Sequence, residues 1–265
     1  MASEPTLGGQ FSIGRVFSGM IEPIVANCKI LLGFSAVVQL AISGLGVITI
    51  SQTIAYTDNI DPADPMSGLA IFRNGEYWLV FGATLLLHSF AQVGIMRACL
   101  DHQQGNEIGL SRCFSTAIAG VLPYFGLAIL WLLSISFGFG LLIIPGLILV
   151  SMWAVAAPAI VAEDVSIPAA FGRSRTLTKN SRMVVFATLL LFGIAYYFVM
   201  LAMQGFSQTF LIDLYKRSTG LAFVYSFIVG SLSALIVPAF LASLYRETRL
   251  VTEGVGPRGL GDVFA

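Results

Sequence analysis

His88 and Gln92 stand four residues apart in a stretch, Tyr77–Met96, that carries no charge. On a helix that spacing puts both on one face. An imidazole inside a membrane can relay protons or hold a ligand. Such chemistry needs a charged or titratable partner. None of the chain's long apolar stretches contains Asp, Glu, Lys or Arg, and the other histidine, His102, lies past the end of its stretch. His88 and Gln92 are therefore expected to hydrogen-bond a neighbouring helix. Gln39, Gln204, Tyr196 and Tyr197 read the same way, and Gly230 with Ala234 forms a small-xxx-small pair. Glu163 and Asp164 are the one adjacent carboxylate pair at a membrane boundary. Two carboxylates can hold a metal or act as acid and base. Here they read as a charged stop, paired with Arg173 or Arg175. Cys28, Cys99 and Cys113 lack metal-binding spacing. No phosphate-binding loop, nucleophile elbow or H-E-x-x-H motif is present. No catalytic residue, metal or cofactor is expected.

The elements that carry these residues are membrane spans. The chain has 265 residues, 57% of them hydrophobic and 11% charged, about half the usual charged share of a soluble protein. About 20 apolar residues in a helix cross about 30 Å of hydrocarbon. Six stretches qualify: Ile30–Ile50, Tyr77–Met96, Ile118–Phe137, Leu141–Ala162, Met183–Gln204 and Leu221–Leu244. The fold class is all-α, a polytopic membrane bundle. Kinks are expected at Pro123, Pro145, Pro158 and Pro238. A tight hairpin is expected over Ser134–Gly140. Residues 1–10 read as a disordered segment, 11–246 as one transmembrane domain and 247–265 as a tail. Residues 1–10 lack a basic stretch, so the first span is expected to serve as the insertion signal.

The spans divide the 14 basic residues unequally. Eleven fall on one side: Arg15, Lys29, Arg97, Arg112, Arg173, Arg175, Lys179, Arg182, Arg246, Arg249 and Arg258. Only Arg73, Lys216 and Arg217 fall on the other, where Asp58, Asp61, Asp64 and Glu76 also lie. The positive-inside rule makes the first side, with both termini, cytoplasmic. All three cysteines then face a reducing compartment. The formal net charge is zero. The basic residues crowd membrane ends, so the expected anionic partner is lipid, not nucleic acid.

Three segments before the odd-numbered spans are amphipathic. Ile13, Val16, Phe17, Met20, Ile21 and Ile24 recur at helical spacing, with Pro23 ending that helix or opening the next. Leu110, Cys113, Phe114 and Ala117 repeat the pattern. After Ser166, a plausible N-cap, Ile167, Ala170, Phe171, Ser174, Leu177 and Thr178 fall within an arc of about 120°. Arg173, Arg175 and Lys179 flank that arc and Arg182 follows, so these four are the expected headgroup contacts. The chain thus reads as three units of interfacial helix, span, loop and span, over 11–99, 107–162 and 166–246.

The run 141–186 joins Pro145-Gly146, an apolar stretch ending in Glu163, and a short helix bearing Ala170, Ser174, Leu177, Thr178 and Lys179. The chain closes its last span with Leu244-Tyr245 and basic residues. This pattern resembles the bacterial glycerophosphoryl diester phosphodiesterase membrane-domain family and the related YciC-type inner-membrane proteins. The resemblance covers about 100–254. It implies an integral protein of the bacterial inner membrane. The family label comes from relatives with a separate phosphodiesterase domain, for which this chain has no room outside its spans.

Three functions compete. The first is a non-catalytic module that organises lipid or serves as an accessory subunit docked on a membrane-protein partner. The second is a transporter or channel component, which Gly- and Pro-interrupted spans suit but uncharged spans do not. The third is a lipid-acting enzyme, which requires distant polar residues such as His88 and Glu163 to converge.

Overall fold

Hydropathy and proline placement account for most of the architecture. A computed structural model describes residues 10–57, 72–141, 143–204, 213–214 and 216–254. Ten helices are named here: α1 (Ile13–Ala26), α2 (Cys28–Thr57), α3 (Gly75–Gln103), α4 (Leu110–Leu141) and α5 (Ile143–Met152). They continue with α6 (Ala156–Glu163), α7 (Ile167–Thr178), α8 (Arg182–Gln204), α9 (Thr219–Ser233) and α10 (Ile236–Glu253). The described residues are helical without a strand, and six helical segments are long and apolar enough to cross a membrane. They are α2, α3, α4, α5 with α6, α8, and α9 with α10.

The prolines act unequally, and the reason is local. A proline inside a helix cannot donate to the carbonyl four residues back and crowds it. For Pro158 that carbonyl is Ala154, in the break Trp153–Val155 between α5 and α6. For Pro238 it is Ala234, in the break between α9 and α10. Pro145 falls in the first turn of α5, where no donor is needed. Helix α4 runs unbroken past Pro123. Pro23 neither ends α1 nor opens α2; α1 continues to Ala26. The Gly19 carbonyl that Pro23 leaves free accepts from the Gln103 side chain at 3.3 Å.

Three further expectations differ from the structure. Residues 110–117 are not a separate interfacial helix; they are the first turns of α4, so the second unit of the supposed repeat lacks its first element. Nothing at Thr116–Ala119 breaks the helix, because no Pro or Gly stands there. The hairpin does not occupy Ser134–Gly140, which is helical; α4 reaches Leu141 and α5 begins at Ile143. The close approach of the two helices there explains Gly146, whose missing Cβ would press into the Phe139 ring. Helix α10 also carries on past residue 246 to Glu253, with Glu247 and Thr248 buried. The tail proposed from 247 therefore begins as packed helix. Residues 1–9 and 255–265 lie outside the described residues.

The packed core lies in one half of the bundle. Phe34, Phe240, Leu31, Ile95, Met96, Leu177 and Leu244 are its largest buried side chains. Helix α1 packs against α10 there, Phe17 on Phe240 at 6.1 Å. Helix α7 tucks under α6, α5 and α10. By contrast only 11% of the most apolar window of α4, and of α8, is buried. These two spans are peripheral and present apolar faces outward.

Candidate functional site

The basic residues assemble at the end of the bundle that holds the core. Inter-element contacts place α1, the α3–α4 turn, the α6–α7 turn and the end of α10 together. At its centre Arg173 of α7 donates to Glu163 at the end of α6, Nε to Oε1 at 2.7 Å, and pairs with Glu253 of α10. Arg249 bonds Glu253 at 2.9 Å, and the Tyr245 hydroxyl donates to Glu163. Burial alone would lower the Arg173 guanidinium; hydrogen bonds to Glu163 and Glu253 outweigh it and hold the group above its ordinary value.

Of the four expected headgroup residues, Arg173 is thus committed internally. Arg175 on α7 and Lys179 at its C-cap are exposed, without an ion-pair partner among the described residues. Arg182 is half-buried, and its Nε is buried without a hydrogen-bond partner. Helix α7 buries Ala170, Ser174, Leu177 and Thr178, with Ile167 and Phe171 half-buried beside them. Phe171 packs on Trp153 at 4.9 Å. The stripe read from the sequence therefore faces the bundle. Ser166 stands at the N-cap but makes no side-chain cap bond.

The pattern residues Ser174 and Thr178 lie at this same place for a structural reason. Ser174 and Thr178 reach into the break of the fourth span. Ser174 Oγ accepts the Val155 N–H at 3.2 Å and donates to the Met152 carbonyl at 2.9 Å, and the Thr178 hydroxyl shares its proton between the Ser174 carbonyl at 2.9 Å and the Met152 carbonyl at 3.2 Å. Broken helices strand backbone groups, and in a bilayer only protein can satisfy them. Pro145 and Gly146 lie at the other end of that span.

Two carboxylates that sequence reasoning left unassigned anchor the same end. Asp101, 2% exposed at its side chain, holds Arg112 at 3.0 Å and Arg97 at 3.2 Å. Its i,i+4 spacing from Arg97 was the available signal. Glu247 accepts Nε and Nη2 of Arg15 and the Ser12 N–H. No local signal marks that pair, because the partners stand 232 residues apart. A cavity of about 490 Å³ adjoins this end, with Arg97, Ser115, Thr116 and Asp164 among its lining residues beside Val93, Pro123 and Ile160.

His88 and Gln92 lie elsewhere, at mid-span. They line a cavity of about 140 Å³ with Ser35, Gln39, Tyr196 and Ser233, next to the α9–α10 break. His88 Nδ1 lies 2.9 Å from the Thr84 carbonyl of its own helix. The interhelical bond expected of His88 is replaced by this intrahelical one. His88 and Glu163 do not converge, since Glu163 is bound at the basic end by Arg173 and Tyr245. No group of three His, Cys, Asp or Glu that could hold a metal occurs among the described residues. The cysteines are free, Cys99 and Cys113 buried and Cys28 exposed.

Fold and site together define a six-span helical membrane protein with an ion-paired basic end and an uncharged mid-span cavity. The chain matches no family model, no curated protein and no solved structure.

Proposed function

We propose that this is a non-catalytic inner-membrane protein of bacteria whose cytoplasmic face gathers anionic lipid, acting alone or as an accessory subunit of a membrane complex. One observation carries the reading. Arg175 on α7 and Lys179 at its C-cap stand exposed without an acidic partner among the described residues, while neighbouring Arg173 is neutralised by Glu163 and Glu253. A helix held by its apolar stripe and presenting two free cations beside the ends of α6 and α8 suits an anionic membrane surface. Each basic residue near such a surface contributes about 1 kcal/mol, screened over about a Debye length. The likeness to the YciC-type pattern fits the inner-membrane placement.

The test is lipid retention. Replacing Arg175 and Lys179 with Gln should reduce co-purifying anionic lipid, measured by native mass spectrometry, more than replacing Lys216 and Arg217. Equal retention in both double variants, with topology intact, would count against the reading. Loss of a co-purifying protein with lipid retained would show that the two cations serve a partner subunit instead.

A further inference from the structure

We propose that the mid-span cavity between α2, α3, α8 and the α9–α10 break binds the free hydroxyl of a neutral lipid such as a diacylglycerol. The inference does not rest on the anionic-lipid reading of the basic face.

The chemistry follows from which hydrogen-bonding valences are already used. A carbonyl only accepts, so the His88–Thr84 contact requires the proton on Nδ1. With its single proton on Nδ1, the ring offers Nε2 as an acceptor. Ser35 donates its hydroxyl to the Ser231 carbonyl at 2.8 Å, and Ser233 donates to the Gly230 carbonyl at 3.2 Å. Their oxygens remain able to accept. Gln92 Oε1 is buried without a hydrogen-bond partner. The lining therefore offers unfilled acceptors beside the donors of Tyr196, Gln39 and Gln92, and it holds no Asp, Glu, Lys or Arg. A cation would meet no countercharge and an anion no cation. A neutral donor, an alcohol, fits best.

Geometry selects a lipid over a free alcohol. His88 sits near the middle of the 29-residue helix α3, so the cavity lies at mid-depth of the span. Its 140 Å³ is about ten times the roughly 10–15 Å³ that one water requires, room for a headgroup fragment only. A second cavity, of about 130 Å³, shares Gln39 and Ile42 with the first and runs between α2 and α9 past Ser43, Gly46 and Ser226. The outward faces of α2 and α9, turned away from the seam, are apolar: Val37, Leu40 and Ile228 are each more than half exposed. A hydroxyl can enter the seam while its acyl chains stay in the bilayer.

The experiment uses the full chain in nanodiscs containing dioleoylglycerol, read by native mass spectrometry. The wild type should retain dioleoylglycerol and should not retain trioleoylglycerol, which has the chains without the hydroxyl. Gln92→Met removes one acceptor at matched size and should lower retention about fivefold, one neutral hydrogen bond's worth. The Arg175→Gln, Lys179→Gln double variant should keep dioleoylglycerol, so failure here is separable from failure at the basic face. Equal retention of trioleoylglycerol, unchanged retention in Gln92→Met, or displacement by phosphatidic acid of the same chains would overturn the proposal. Binding of free glycerol with equal preference would overturn the lipid assignment. If Gln92→Met does not fold, a diazirine-tagged diacylglycerol on the wild type decides. Cross-links should map to 35–43, 88–92 and 226–234, and labelling confined to other segments rejects the site.

Discussion

The hydroxyl of Ser174 donates to the carbonyl of Met152, 2.9 Å away on the fourth span, and takes the Val155 N–H in return. One side chain of an amphipathic helix thereby mends a break inside a membrane span. Ser174→Ala should leave Val155 N–H unsatisfied, while Met152 keeps Thr178 as donor. A buried unsatisfied donor costs about 1–3 kcal/mol. Thermal unfolding in detergent should shift down by several degrees, and further in the Ser174→Ala, Thr178→Val double variant. No shift in either would mean that water fills the break.

Arg173 and its neighbours Arg175 and Lys179 should separate by phenotype. Arg173→Met strips the counterion from Glu163 and leaves Glu253 with Arg249 alone, each carboxylate being about a quarter exposed. Partial exposure tempers the cost to roughly 1–2 kcal/mol. Stability should fall, and limited proteolysis should cut sooner between α6 and α8. Anionic lipid retention should barely change. A variant that loses lipid at unchanged stability would reverse the roles assigned to these residues.

The charge asymmetry predicts an orientation that labelling tests. A single cysteine at Arg73, exposed ahead of α3, should react with a membrane-impermeant maleimide added to intact cells. One at Lys179 should react only after permeabilisation. The opposite pattern would invert the topology.

These contrasts mark what could be read from residues alone. Long uncharged runs made the six spans legible, and the 100° spacing of Ala170, Ser174 and Leu177 gave the buried side of α7, since burial and periodicity have one cause. The grouping of Arg15, Arg97, Arg112 and Arg173 at one end was legible from loop charge. What each arginine does there was not. Arg15 meets Glu247 across 232 residues, and such pairings depend on tertiary packing that periodicity does not encode. The break at Trp153–Val155 had a hint in Pro158, but its completion depends on Ser174 from another helix. Pro123 carried the same hint and left α4 intact.

His88 should be dispensable for folding. Its Nδ1 proton adds a bond to a Thr84 carbonyl within the same helix, so that carbonyl is not orphaned without it. His88→Gln should stay within about 0.5 kcal/mol of wild type by thermal unfolding, as for positions away from packed cores. A loss several times larger would give His88 an interhelical role that its geometry here does not.

Gly230 and Gln39 should behave as a coupled pair. A Cβ at Gly230 would collide with the Gln39 carboxamide, which is buried on α2 and bonds Ser43 at 3.4 Å. The absent side chain lets Gln39 lie across α9 and sets the separation of α2 and α9. Gly230→Ala must displace the carboxamide or part the helices, and overpacking of this kind costs about 1–3 kcal/mol. Shortening the obstacle should relieve it. Gln39→Ala alone opens a void and loses the bond to Ser43, so it should also destabilise. Gln39→Ala with Gly230→Ala should be more stable than the sum of the two single losses implies, a coupling of the size seen for residues in contact. Thermal unfolding of the four proteins in one detergent measures the cycle. Simple additivity would show that α2 and α9 do not touch at this position.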